Sequence, residues 1–173
     1  MSYTLANHAS LLHCSGMSVD PRFQPINQWS CGLACIAWNL ERQSPKIVVN
    51  QSDLIHKFSP YFPKWSQQPG LLERGDILTL LEYLNFPYRR FIHTNKRQEF
   101  FDYYAKNSND YLMGFLFTRK QGQNILNHCM AISVWDGNAA TMMDAARYNP
   151  QLVQLNWTEI ESQLDADILA LFV

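Results

Sequence analysis

The run Gln28-Trp29-Ser30-Cys31-Gly32-Leu33-Ala34-Cys35-Ile36-Ala37-Trp38 constrains the fold of this chain more than any other stretch. Behind Cys31, apolar residues recur at helical spacing, which predicts a buried helix from about Cys31 to Arg42 with Ser30 as its N-cap. Cys31 then stands on the first turn. There the unpaired N–H groups and the helix dipole both favour a thiolate and lower the thiol pKa. A cysteine at a helix start is more often a small buried hydrophobe than a nucleophile. Two features favour the nucleophile: Gly32 leaves room beside the thiol, and the chain supplies a histidine and an acid further on.

That histidine is His128, which opens the apolar run Asn127-His128-Cys129-Met130-Ala131-Ile132-Ser133-Val134. Asp136-Gly137-Asn138 is a turn signal, and it predicts a hairpin of Met130 to Trp135 with Ala139 to Met143, followed by Asp144. His128 and Asp144 lie at similar distances from the turn, so cross-strand pairing brings them near each other. The carboxylate can then accept the ring N–H, fix the tautomer and stabilise the imidazolium. Cysteine at a helix start, histidine on a later strand and acid on the next strand is the order of a thiol-dependent acyl-transfer site. His8 and His13 lie in an irregular segment, and His56 and His93 suit surface roles. Cys129 alternates with His128 and faces the core. Cys35, one turn beyond Cys31, is read as packing, and Cys14 has no assignment. A zinc site from Cys31, Cys35, His128 and Cys129 is disfavoured, because His128 and Cys129 point to opposite faces and no C-x-x-C pair exists. No metal or other cofactor is expected.

With 173 residues, 47% of them hydrophobic, the chain is long enough for one domain, 1–173, around one core. A net charge of −1 gives no footing for nucleic acid. The pairs Arg89-Arg90 and Arg119-Lys120 read as solvated strand ends. Met1 to Gly16 lacks the charged and apolar regions of a secretory signal, and no run is long enough to span a bilayer. The cysteines show no disulfide-scaffold spacing. Reduced thiols in a cytoplasmic protein, or in one secreted without a cleavable signal, are expected.

The remaining elements follow from periodicity and breakers. Met1 to Ser30 reads as irregular, with Pro21 and Pro25 opposing regular structure. Gln51 to Phe58 is a short helix, Ser59 to Trp65 an aromatic loop that closes at Gly70, and Asp76 to Leu84 a helix. Strands are expected at Pro87 to Ile92, Tyr111 to Phe117 and Ile168 to Val173, and helices at Lys96 to Lys106 and Trp157 to Leu164. The class is α+β, with helices first and an antiparallel sheet after. Trp29, Trp38, Tyr61, Phe62 and Trp65 could line a protein-binding groove, although core packing is the commoner use of such residues.

Cys31-Gly32-Leu33-Ala34-Cys35 before an apolar helix, then His128-x-Met130-Ala131-Ile132-x-Val134, then Asp144 after the hairpin, resembles the papain-like clan of cysteine peptidases. Within that clan it looks most like the bacteriocin-processing peptidase domains of ABC exporters and related bacterial effectors. The resemblance covers Gln24 to Trp38 and Tyr111 to Ala145. It implies a papain-like fold, with Cys31 as nucleophile, His128 as base and Asp144 as the orienting acid. The clan also places a glutamine ahead of the nucleophile, where its amide completes the oxyanion hole. Gln24 and Gln28 are the candidates, neither at the usual spacing, and Gln24 is favoured because Gln28 is too close to fold back over Cys31. After Asp144 the chain has Ala145-Ala146-Arg147, where the clan usually has proline or a small polar residue.

The expected activity is acyl transfer at amide bonds of a protein or peptide substrate by a monomeric enzyme, a cysteine protease foremost. Attack on a glutamine side chain would make the same triad a deamidase, or a transglutaminase with an amine acceptor. A binding module that keeps the fold without the chemistry is the competing class.

Overall fold

The computed structural model describes residues 19–42, 46–85, 90–94, 112–118, 128–145, 150–159 and 164–172, together with Glu99 and Asp102. Helix α1 spans Cys31–Arg42, the bounds that its apolar spacing predicts, and Gly32 through Leu40 are all buried. Twelve residues form only a marginal helix in isolation, so packing must hold this one. Leu33, Ile36 and Leu40 are almost completely buried, and each such side chain contributes roughly 1.5–3 kcal/mol relative to exposure. Arg42 closes the helix by resting its guanidinium on the Trp38 ring one turn back, 4.1 Å from the centroid.

Ser30 holds the N-cap position, since its carbonyl accepts the first helical bond from the Ala34 N–H at 3.0 Å. Its hydroxyl does not cap the helix as the sequence suggests. It turns back to the Asn27 backbone, 3.3 Å from the N–H and 3.4 Å from the carbonyl.

Helix α2, Gln51–Phe58, is capped by Asn50, whose Oδ1 accepts from the Ser52 and Asp53 N–H groups at 2.9 and 3.2 Å. The aromatic segment that follows is two 3₁₀ turns, Ser59–Tyr61 and Pro63–Ser66. Trp65 stacks on Phe62 and donates its ring N–H to the Leu71 carbonyl at 2.7 Å. Helix α3 spans Arg74–Tyr83, two residues earlier than its apolar spacing alone suggests. Asp76 sets that start by accepting the Glu73 N–H at 2.7 Å, while Lys64 bonds to both carboxylates. Residues 1–18, which carry His8, His13 and Cys14, lie outside the described residues. Of the expected helix from Lys96 to Lys106, only Glu99 and Asp102 are described, and both are helical.

Six strands form one sheet: β1 Arg90–Thr94, β2 Leu112–Thr118, β3 Cys129–Trp135, β4 Ala139–Asp144, β5 Gln151–Asn156 and β6 Leu164–Phe172. Their order is β1-β6-β2-β3-β4-β5, and every neighbouring pair is antiparallel. The architecture is therefore α+β with an antiparallel sheet, as expected. Strand β5 has no counterpart in the sequence reading. It is an edge strand in which Leu152 alone is fully buried, so its alternation carries little signal. The helix expected from Trp157 to Leu164 has its first turn at Trp157–Glu159, residues 160–163 lie outside the described residues, and Leu164 belongs to β6 rather than to the helix. Asn156 and Glu159 close that turn reciprocally, each accepting the other's N–H. No helix among the described residues is long and apolar enough to cross a membrane.

The segment after the 3₁₀ turns returns to the start of α1. Gly70 adopts φ +82°, and a Cβ there would stand 2.8 Å from Leu33 Cδ1 and 3.2 Å from Ser30 Cβ. Gly137, at φ +98° in the β3–β4 turn, has open space around it. Both glycines supply a backbone conformation that side chains resist. Gly70→Ala should therefore destabilise by more than the roughly 1–3 kcal/mol of a strained φ alone, and Gly137→Ala by no more than that range. Urea unfolding of both variants checks the difference, and equal midpoints would refute the packing contribution at Gly70.

Candidate active site

Three elements converge where α1 meets the sheet. Helix α1 begins at Cys31 and packs against β3, and His128 is the residue immediately before that strand. Asp144 is the last residue of β4. The thiol of Cys31 hydrogen-bonds to the His128 ring and accepts the backbone N–H groups of Cys129 and Gly32. Nε2 of His128 bonds to Asp144 Oδ1, which leaves Nδ1 for the thiol. The sequence-predicted nucleophile, base and acid thus form one line of hydrogen bonds. Both His128 and Asp144 are about one quarter exposed, at 26% and 23% of their side-chain surface. The line is sheltered yet open to solvent at one side.

The register of the hairpin makes this line possible. Near the turn, Val134 pairs with Thr141 and Trp135 with Ala140; beyond it, Ile132 pairs with Met142 and Met130 with Asp144. The shift comes from one extra residue, Ser133, on β3. Continued without that residue, the first register would set Asp144 opposite Ala131. A one-residue slip moves a side chain to the other face of the sheet. Ala131 shares its face with Cys129, and both join the core with Leu33, Ile36 and Met143. With the bulge, Asp144 falls opposite Met130, on the face His128 shares, and the two become diagonal neighbours.

The electrostatics of the two titrating groups are opposed by burial and reversed by their partners. Burial pushes the Cys31 thiol up. The bond and charge of His128 and the N–H groups of Cys129 and Gly32 more than offset it, so the thiol lies below its ordinary value. Burial likewise pushes His128 down, but Asp144 and Cys31 raise it to about 10. At an effective dielectric near 20, unit charges about 4 Å apart attract by roughly 4 kcal/mol. One pKa unit corresponds to about 1.4 kcal/mol, so such a pairing suffices to reverse a desolvation penalty of one or two units. Cys35, one turn along the same helix, shows the other outcome. It is fully buried, bonds to the Cys129 carbonyl at 3.4 Å, and has its thiol raised by burial and by the neighbouring Cys129. Its reading as a packing residue agrees with that environment.

The other sequence candidates fall as follows. Cys129 is buried in the core, as its alternation predicts. His56 is exposed on α2, whereas His93 lies inside β1, opposite Leu169, rather than after a strand. Trp38, Phe62 and Trp65 are core residues, while Tyr61 is exposed. The space beside Gly32 is occupied by Leu72, whose Cβ would stand 3.1 Å from an added Cβ, so packing accounts for this glycine. Gln28 is exposed in the turn before α1. Gln24 is half-buried at the end of the 3₁₀ turn Pro21–Phe23, and its carbonyl accepts the Gln51 amide at 2.9 Å. The sequence reading did not single out Asn27. Its only signal there is an Asn two residues before Trp29, a spacing that suits an Asx turn.

The charged form of the pair exists between the lowered pKa of the thiol and the raised one of the imidazole. In the wild type the His128 imidazole should keep its proton to about pH 10. Asp144→Asn removes a partner that raises the His128 pKa, so the alkaline end of the window should move to lower pH. Imidazole resonances followed by NMR through the titration check this. An unchanged His128 midpoint in Asp144→Asn would refute the role of the carboxylate.

No protein-family model matches the chain, and no curated protein shows significant sequence similarity to it.

Proposed function

We propose that the protein is a thiol-dependent acyl-transfer enzyme of the papain-like kind, acting as a cysteine protease on a protein or peptide substrate. The observation that carries this reading is the hydrogen-bonded line Cys31–His128–Asp144 at the start of a buried helix. A thiolate needs its proton held nearby, and a leaving amine needs one delivered; an imidazole between thiol and carboxylate does both. Cys31 Sγ attacks the amide carbonyl carbon, forming a C–S bond while the C=O π pair moves to oxygen. As the tetrahedral intermediate collapses, the C–N bond breaks and His128 gives its proton to the amine. Water then attacks the thioester, with His128 taking its proton, and the thiolate is released. The backbone N–H of Cys31 and the side-chain amide of Gln24 serve the oxyanion.

The same acyl-enzyme would make a deamidase if the bond attacked were that of a glutamine side chain, so the test must read the product. A proteome treated with the wild type should yield new peptide termini by mass spectrometry, and Cys31→Ala should yield none while keeping a wild-type circular dichroism spectrum. His128→Ala should lose nearly as much as Cys31→Ala, on the order of 10⁴-fold, because the groups act as a unit. Asp144→Asn should keep residual turnover. Wild-type turnover by Cys31→Ala would refute the thiol mechanism. Glutamine-to-glutamate conversion without new termini would replace the protease with the deamidase.

A further inference from the structure

The turn that delivers Cys31 to its helix is tied down at four points by one residue. Asn27 Oδ1 accepts the Trp29 N–H at 2.7 Å, and Asn27 Nδ2 donates to the Pro69 carbonyl at 2.9 Å, 42 residues away. The Asn27 N–H and carbonyl both engage the hydroxyl of Ser30, which is completely buried. Next to Pro69, Gly70 packs its backbone against Ser30 and Leu33, and Leu72 packs against Gly32. The Pro69–Leu72 segment is therefore a saddle for the first turn of α1, and the Asn27 side chain is its clasp.

This arrangement has a consequence for the thiol. An N-cap serine ordinarily spends its oxygen on the N–H groups of the first turn. Here the Ser30 hydroxyl is engaged by the Asn27 backbone, both as acceptor and as donor, instead of by those N–H groups. The Gly32 N–H helps to lower the Cys31 thiol instead. A capping oxygen and a thiolate want the same donors, and the closed turn gives them to the thiolate.

Resting on the thiolate reading of Cys31 above, we propose that Asn27 is a positioning residue for the nucleophile. It locks the Asn27–Ser30 turn onto the Pro69 carbonyl, so that Cys31 sits against His128 with first-turn N–H groups left for the sulfur. Asn27 touches neither the thiol nor any reacting atom, and acts only through the turn.

Iodoacetamide labelling of Cys31, quantified by peptide mapping, tests this at pH 6 and at pH 9.5 in the full chain. At the higher pH a thiol is ionised whether or not its donors are in place; at the lower pH only a stabilised thiolate reacts. Asn27→Ala should label about tenfold more slowly than wild type at pH 6, the factor that one pKa unit gives, and at the wild-type rate at pH 9.5. Asn27→Ser keeps a neutral acceptor for the Trp29 N–H and is too short to donate to the Pro69 carbonyl, so it should recover part of the pH 6 rate. It also serves if the alanine variant fails to fold. Ile77→Val, a core change on α3, controls for lost stability and should leave the ratio of the two rates unchanged. A wild-type rate ratio in a folded Asn27 variant overturns the positioning role alone. If the wild type itself labels only near the ordinary thiol value of about 8.5, the thiolate reading fails and the proposal falls with it.

Discussion

One extra residue on β3 is the constraint on which the site depends. His128 and Asp144 are separated by 16 residues, and their meeting requires that two strands present them on one face. The turn at Asp136–Ala139 sets a register that would place Asp144 opposite Ala131; the bulge at Ser133 advances it so that Asp144 stands opposite Met130. A regular hairpin would have set the carboxylate and the imidazole on opposite faces of the sheet. The bulge also keeps the core intact, because Cys129, Ala131 and Met143 retain the face turned to α1.

The second dependence is of charge on geometry. Cys31 and Cys35 lie one turn apart on one helix, yet their thiols shift in opposite directions. Burial raises both. The difference lies in what the sulfur meets: at Cys31 an imidazole and two N–H donors, at Cys35 a carbonyl oxygen and another thiol. Helix position alone therefore does not lower a thiol. The donors that complete Cys31 come from β3, through His128 and the Cys129 N–H, so the packing of α1 on that strand is part of the electrostatics.

Packing ahead of the helix is as specific as packing behind it. Asn27, Pro69, Gly70 and Leu72 surround the first turn with a tied bend, a positive-φ glycine and a leucine in van der Waals contact. Trp65 braces that segment through the Leu71 carbonyl, and Lys64 links the 3₁₀ turn to the start of α3. The aromatic stretch between α2 and α3 thereby connects the helical layer to the residue that begins α1. Phe62, Trp65 and Leu72 are its buried anchors, while Tyr61 is exposed, so the stretch is a loop pinned to the core at a few side chains.

The sequence alone determined the bounds of α1, the place of Cys31 at its first turn, the β3–β4 hairpin and the α+β order. These are local matters: apolar period, an Asp-Gly-Asn turn and a cysteine before glycine each act over a few residues. It also named His128 and Asp144 together, because both lie near the open end of one hairpin. What it could not contain is the bulge, since the alternation of β3 reads the same with or without one extra residue. Nor did Ser30 announce that its hydroxyl would serve Asn27 rather than the helix, a choice made by Pro69 and Gly70 some forty positions on. Strand β5 escaped because an edge strand with one buried residue leaves almost no period. Tertiary structure decided the register, the donors around the sulfur and the direction of each thiol's shift, because each depends on groups distant in the chain and adjacent only after folding.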